Sequence, residues 1–314
     1  MLQIRPATRD DSPAIVAIRN AIQPEPLTVT EFVQLQEAFW QYPGAKRQLL
    51  VAEADGPVVG YTVISRIDDD PAGLFHVYVA VDPTVRRRGL GLQLYTALLG
   101  LAEQYEAVTL KSHVRGTDDE SYAWALARGF HLDRQRTEAV LDLKSWDGAP
   151  FAGEVARVEA GGIRLVCTHD FPTASLMPEI YRVWKETAVD LPGWEGEFGT
   201  YEAWAADFSS GYGEHPPIMG LALDGERLVG MSILGMPRTE GAGAIIDYTG
   251  VLREFRGRGI AMATKLLTIE AAAAAGAPYI RTNNDPDNPP MLAVNRRLGF
   301  AFIPGPRVLK KNLR

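Results

Sequence analysis

Apolar and polar positions along the chain alternate between two rhythms. Short dense apolar runs, such as Leu74–Val81 and Ala244–Val251, read as buried strands. Longer stretches with apolar residues three or four apart read as amphipathic helices. The order begins with a strand over Leu2–Pro6. Asp10, Asp11, Ser12 and Pro13 then open a helix carrying Ile15, Ile18 and Ile22 on one side. A second helix is expected over 30–40. Strands follow over 49–53 and 58–65, joined by the turn Ala54-Asp55-Gly56. After the strand 74–81 come a long helix from Gly89 to about Tyr105, a strand over 107–112, a helix over 121–127 and a strand over 140–143.

The second half repeats this order. Strands are expected over 163–166, 218–223, 227–234, 244–251 and 279–283, with helices over 174–186, 259–275 and 291–298. The first half reads β-α-α-β-β-β-α-β-α-β, and the second is taken to follow the same order. The repeat is also visible residue by residue. Arg86-Arg87-Arg88-Gly89-Leu90-Gly91 reads R-x-x-G-x-G, and 170 residues later Arg256-Gly257-Arg258-Gly259-Ile260-Ala261 reads R-x-x-G-x-A. The same offset carries Gly60 onto Gly230, Val81 onto Val251, and Gly129-Phe130 onto Gly299-Phe300. Ile4-Arg5 matches Ile163-Arg164 at an offset of 159, so about eleven residues are added in the second half, around 191–197. Two copies of one domain are expected, over 1–145 and 159–314, with a linker at 146–158 in a stretch rich in Gly, Ala and Pro.

Composition narrows the function. The 314 residues carry a net charge of −7, which gives no support for nucleic-acid binding. One cysteine, Cys167, allows no intrachain disulfide and suits a reducing, cytoplasmic setting. Five scattered histidines form no metal-ligand pattern, and no apolar run approaches a membrane span. Neither a signal peptide nor a metal is expected.

The repeated hexad has a physical purpose. A helix N-terminus offers unpaired N–H groups and a positive dipole end, and a glycine there lets the backbone approach an anion closely. Arginines add charge. Each hexad follows an apolar strand and opens an apolar-periodic helix, the context that binding a diphosphate requires. A Walker-type loop would need Gly-Lys-Ser/Thr, and a dinucleotide fingerprint a third glycine; both are absent.

With these motifs the chain resembles a tandem member of the GNAT superfamily of N-acetyltransferases, in a two-domain arrangement of the mycothiol synthase kind. The likeness is strongest over 244–300. It implies an α/β (α+β) fold of two GNAT domains, each a mixed, mostly antiparallel sheet flanked by helices. It implies acetyl-CoA as cofactor, with the pyrophosphate held by the two hexads. The pantetheine and thioester would lie along a bulged strand at Val79 and Val81, and at Thr249 and Val251. Asn284, Asn288 and Asn295 match the family's asparagines near the cofactor. The first copy has Val114, Asp118 and Ala125 instead, which leaves two readings of it open: it binds cofactor, or it only supports its twin. The family often places an acidic tyrosine four residues before Gly-Phe. Here that position holds Ala125 and Asn295.

The second copy is therefore expected to acetylate a primary amine of a small molecule by direct attack. A non-catalytic acyl-CoA sensor, or acetylation of a protein amine, is the alternative. Asp247 is the candidate base. In a regular strand it shares a face with Thr249 and Val251, four residues before the latter. Its counterpart by offset is Val77, beside His76. Asn295 is retained as a catalytic candidate at the tyrosine's position. Asp190, Trp194, Glu195 and Glu197 offer carboxylates and an aromatic face to an ammonium substrate. No partner other than the substrate is expected; the protein is taken as a monomer or homodimer.

Overall fold

The computed structural model describes residues 2–314 except 24–25, 43, 68–69, 169–173, 193, 195–197, 213–215 and 237–241. It divides into two compact units.

The first unit runs β1 (Leu2–Pro6), α1 (Ser12–Asn20), α2 (Val29–Phe39), β2 (Lys46–Ala54), β3 (Val58–Arg66), β4 (Leu74–Val81), α3 (Leu90–Gln104), β5 (Thr109–Val114), α4 (Asp119–Leu126) and the start of β6 (His131–Asp142). The second runs α5 (Ala152–Ala160), β7 (Ile163–Cys167), α6 (Met177–Ala188), α7 (Tyr201–Tyr212), β8 (Ile218–Asp224), β9 (Arg227–Gly235), β10 (Ala244–Val251), α8 (Ile260–Ala274), β11 (Tyr279–Asn284), α9 (Pro289–Arg297) and the start of β12 (Ala301–Asn312).

In the first unit β1 to β4 pair antiparallel in sequence order, and β4 pairs β5 in parallel. In the second, β7 to β10 do the same and β10 pairs β11 in parallel. Helices flank both sheets. Leu98 and Leu101 of α3 pack with Phe75, Val77 and Leu110, and Leu94 packs with Ala52 and Val59. Ile15, Ile18 and Phe32 pack with Val51 and Tyr61. In the second unit Ile180 and Val183 pack with Leu221 and Val229, while Leu266 and Ile269 of α8 pack with Leu234 and Ile246.

The unit boundaries differ from those expected. Residues 136–142 of β6 belong to the second unit and pair antiparallel with β11, Thr137 to Asn284 through Asp142 to Tyr279. Residues 306–314 belong to the first unit, where Arg307–Asn312 pair antiparallel with β5. Each copy's final strand completes the other copy's sheet. Apolar patterning fixes which face of a strand is buried, but not which of two equivalent edges it joins. The expected linker is also more structured than its composition suggests. It holds most of α5, whose Val158 is buried in the second core.

Candidate active site

Two clefts form where the parallel pairs separate. β4 pairs β5 only from Leu74 to His76, and β10 pairs β11 only at Ala244 and Ile245. Beyond those residues the strands diverge. The first cleft encloses about 350 Å³ and is lined by Val79, Val81, Arg86, Arg87, Gly89, Leu90 and Gly91, among others. The second encloses about 480 Å³ and takes in Thr249, Val251, Arg256, Gly257, Gly259, Ile260 and Ala261. The hexads thus sit at matching places in matching clefts, of a size usual for small-molecule sites.

Local geometry explains the hexads. Gly89 and Gly259 cap their helices with φ of 81° and 84°, a conformation that side chains rarely adopt. The residue two before is also left-handed: Gly257 at φ 77°, Arg87 at φ 65°. The arginine there costs about 1 kcal/mol of backbone strain that the second copy avoids. The first arginine of each hexad reaches back to the strand. Arg86 Nε donates to the Val81 carbonyl at 3.3 Å, and Arg256 Nε to that of Val251 at 3.0 Å. The next N–H along, that of Asp82 or Leu252, bonds to the preceding strand at Val59 or Val229. Peptide groups alternate along a strand, so the N–H groups of Val81 and Val251 point into the clefts. This donor set suits a diphosphate with a thioester beyond it.

The strands leading into the two hexads differ by one residue. β3 and β4 pair without interruption, Val77 opposite Ile64 and Tyr78 opposite Val63. In the second copy Ile246 opposes Leu234 and Tyr248 opposes Ile233, with the register slipping between them. Val77 therefore corresponds to Ile246 and Tyr78 to Tyr248. Asp247 is an insertion, a β-bulge, with no counterpart in the first copy. This corrects two expectations. Neither Val77 nor His76 matches Asp247; His76 pairs with Asp70 at 2.8 Å. Nor does Asp247 share a face with Thr249 and Val251. Those two face α8, Thr249 through Ser232 and Thr268, and Val251 against Ile260. Asp247 is exposed on the opposite face, where its Oδ2 accepts a hydrogen bond from the Tyr212 hydroxyl at 2.8 Å. The expected bulge exists only in the second copy.

Both clefts contain a phenol that sequence reasoning did not place there. The Tyr248 hydroxyl lies 2.7 Å from Thr187 Oγ1, and burial pushes its pKa up to about 12. Tyr78 accepts a hydrogen bond from Gln23 Nε2 at 2.9 Å and is also raised by burial. The 170-residue offset already superimposes these tyrosines.

Other candidates divide. Asn288 lines the second cleft and caps α9, accepting from the Met291 N–H at 3.3 Å. Asp118 does the same for α4, accepting from Ser121 N at 2.9 Å, so its charge is spent on the helix end. Asn295 is fully buried and absent from the cleft lining; its Nδ2 donates to Asn284 Oδ1 at 3.0 Å. It cannot touch a reacting atom there, and Asn284 is buried with it. Helical phase turns Asn295 inward from α9, onto Asn284 at the end of β11. Arg88 and Arg258 are exposed outside the clefts. Asp190 is committed to Arg253 and Arg256; chiefly through Arg253 its pKa falls to about 2. Trp194 packs edge-on against Trp184 at 5.9 Å. Glu195 and Glu197 lie outside the described residues. Among the described residues no acidic, histidine or cysteine cluster suits a metal, and no helix is long and apolar enough to cross a membrane.

The acetyltransferase (GNAT) family model matches the sequence twice, over residues 14–130 and 177–300. The chain belongs to the GNAT family of acetyltransferases. Members transfer acyl groups, act on amines and generally use acetyl-CoA. Among solved structures, a tandem GNAT protein from the clavulanic acid biosynthesis pathway is similar at 23% identity and a TM-score of 0.79, covering 99% of this chain and 98% of its own. A GCN5-related N-acetyltransferase from Sphaerobacter thermophilus is similar at 18% identity and a TM-score of 0.65, covering 100% and 96%. At these identities the likeness concerns the GNAT fold. No curated protein matches the sequence significantly.

Proposed function

We propose that this GNAT protein moves the acetyl group of acetyl-CoA to a primary amine of a small molecule, in its second unit, by direct attack in a ternary complex. The observation that carries this reading is the Asp247 bulge. It puts an exposed carboxylate where β10 leaves β11, next in sequence to Tyr248 and Thr249, which line the second cleft, although Asp247 itself is not part of that lining. Acetyl-CoA supplies the thioester. Arg256 and the N–H groups at Gly259–Ala261 hold its diphosphate. Asp247, steadied by Tyr212, takes the ammonium proton directly or through water. The Val251 N–H stabilises the oxyanion. Tyr248, the one phenol lining this cleft among the described residues, returns a proton to the leaving sulfur.

The first unit keeps the cradle and the cleft but has no bulge and no carboxylate at that point of β4. This supports cofactor binding there without turnover. The test is thiol release from acetyl-CoA over a panel of primary amines, with calorimetry on the same samples. Asp247→Asn should lose turnover and keep cofactor affinity. Turnover that survives Asp247→Asn but not Gly89→Glu would move the reaction to the first unit.

A further inference from the structure

The two cradles are not equally open. A Cβ built on Gly89 meets nothing within 4 Å, whereas one built on Gly259 collides with the guanidinium of Arg157. Arg157 comes from α5, in the stretch whose composition reads as a linker. Its Nη1 donates to the Arg258 carbonyl at 3.5 Å, inside the hexad. Its Nη2 pairs with Glu154 Oε2 at 2.9 Å, and the other oxygen of Glu154 pairs with Arg297, which lines the second cleft. Glu154 is thus an anion held between two arginines at the rim of an anion cradle. The arginines are exposed, at 54% and 59%; the carboxylate between them is 14% exposed.

We infer that Glu154 is an internal stand-in for a phosphate group of the cofactor, that Arg157 and Arg297 are phosphate ligands of the second cradle, and that cofactor binding displaces Glu154 from them. The inference rests on the reading that the second cradle holds acetyl-CoA. A carboxylate and a phosphate oxygen compete for the same guanidinium donors. With Glu154 in place the three groups sum to one positive charge; without its charge they sum to two. The carboxylate therefore lowers affinity at this cradle and leaves the first untouched. It also keeps two arginines at the rim from repelling one another before cofactor arrives.

The experiment is calorimetric titration of acetyl-CoA, and separately of inorganic pyrophosphate, into the full chain carrying Gly89→Glu, so that only the second cradle is read. Added to that background, Glu154→Gln should tighten both ligands by roughly fivefold, while Arg157→Gln and Arg297→Gln each weaken them by about fivefold to tenfold. Melting curves without ligand separate this from a purely structural role. Glu154→Gln should lower the melting temperature slightly while raising affinity, a combination that loss of a mere α5 anchor does not give. Unchanged or weaker binding in Glu154→Gln, with binding still abolished by Gly259→Glu, overturns the stand-in and leaves the cradle reading intact. Binding that survives Gly259→Glu overturns both. Should Gly89→Glu not fold, the same substitutions in the wild-type background are read as changes in the second of two binding isotherms.

Discussion

Lys265 sits in the middle of α8 with 1% of its surface exposed, its Nζ 5.5 Å from the centre of the Phe300 ring. Burial lowers its pKa from 10.5 to about 7. In the unfolded chain the amine titrates near its ordinary value, so between these limits unfolding takes up a proton. The lysine therefore weakens the fold most at low pH, and that penalty fades as pH rises from about 7 towards 10.5. The shift corresponds to roughly 4–5 kcal/mol at pH 6.5 and roughly 1–2 kcal/mol at pH 9.5. Methionine has nearly the same length and no charge, and a swap that conserves volume costs about 1 kcal/mol at most. Lys265→Met should thus stabilise the second unit at pH 6.5 by several kcal/mol, which is a rise in melting temperature on the order of 10 °C. At pH 9.5 little of that gain should remain. The assay is thermal and urea unfolding of both proteins at the two pH values, followed by tryptophan fluorescence. Trp146, Trp184, Trp194 and Trp204 all lie in the second unit, so the signal reports mainly on it. A gain that is the same at both pH values, or a loss at pH 6.5, would refute the argument that charge desolvation governs this site.

Other outcomes follow from the same geometry. Asp247→Asn should lower turnover about 100-fold or more with acetyl-CoA affinity unchanged, measured by thiol release and calorimetry. Gly220→Ala sets a Cβ against the Thr264 backbone carbonyl, which no rotamer can relieve, so it should cost about 2–3 kcal/mol in urea unfolding. Gly100→Ala, inside α3 with nothing within 4 Å, should instead add about 0.5–1 kcal/mol. Asp190, held low by Arg253 and Arg256, contributes fully above pH 4 and loses its effect as pH falls through about 2. Asp190→Asn should therefore flatten that acid limb in a pH-dependent unfolding series.

Much of this architecture was legible because a domain repeat prints twice. The Gly89 and Gly259 caps, the strands before them and the Gly-Phe ends are local features, and each agreed with its twin at a fixed offset. What stayed hidden was set by distant parts of the chain. The pairing of β5 with Arg307–Asn312 joins residues about 200 apart in sequence, and nothing in either strand names its partner. Arg157 reads as linker because Gly148, Pro150 and Gly153 precede it closely and break the helical signal, yet Val158 next to it is core. Asn295 matched a family position, but its helical phase turns it onto Asn284 and away from the cleft.

The bulge shows why a constant offset can mislead at a functional centre. The 170-residue match holds on both sides of Asp247, from Gly60 and Gly230 to the two hexads, so the eye aligns Val77 with Asp247 across it. Hydrogen-bond register denies that match. The strand β10 has one residue more than β4 between its parallel pairing and its cradle, and the loop before it has absorbed the difference. One inserted residue turns Asp247 to the face of Tyr212 without moving Tyr248, Thr249 or Val251 off their counterparts. Removing it is then the sharpest comparison between the copies. Deleting Asp247 should restore a regular β10 like β4, keep the cradle and its phosphate donors, and leave the second unit as a cofactor-binding domain without turnover, as is proposed for the first. Loss of acetyl-CoA binding in that deletion, in a protein that still melts cooperatively, would mean that the bulge shapes the cradle as well as aiming the carboxylate.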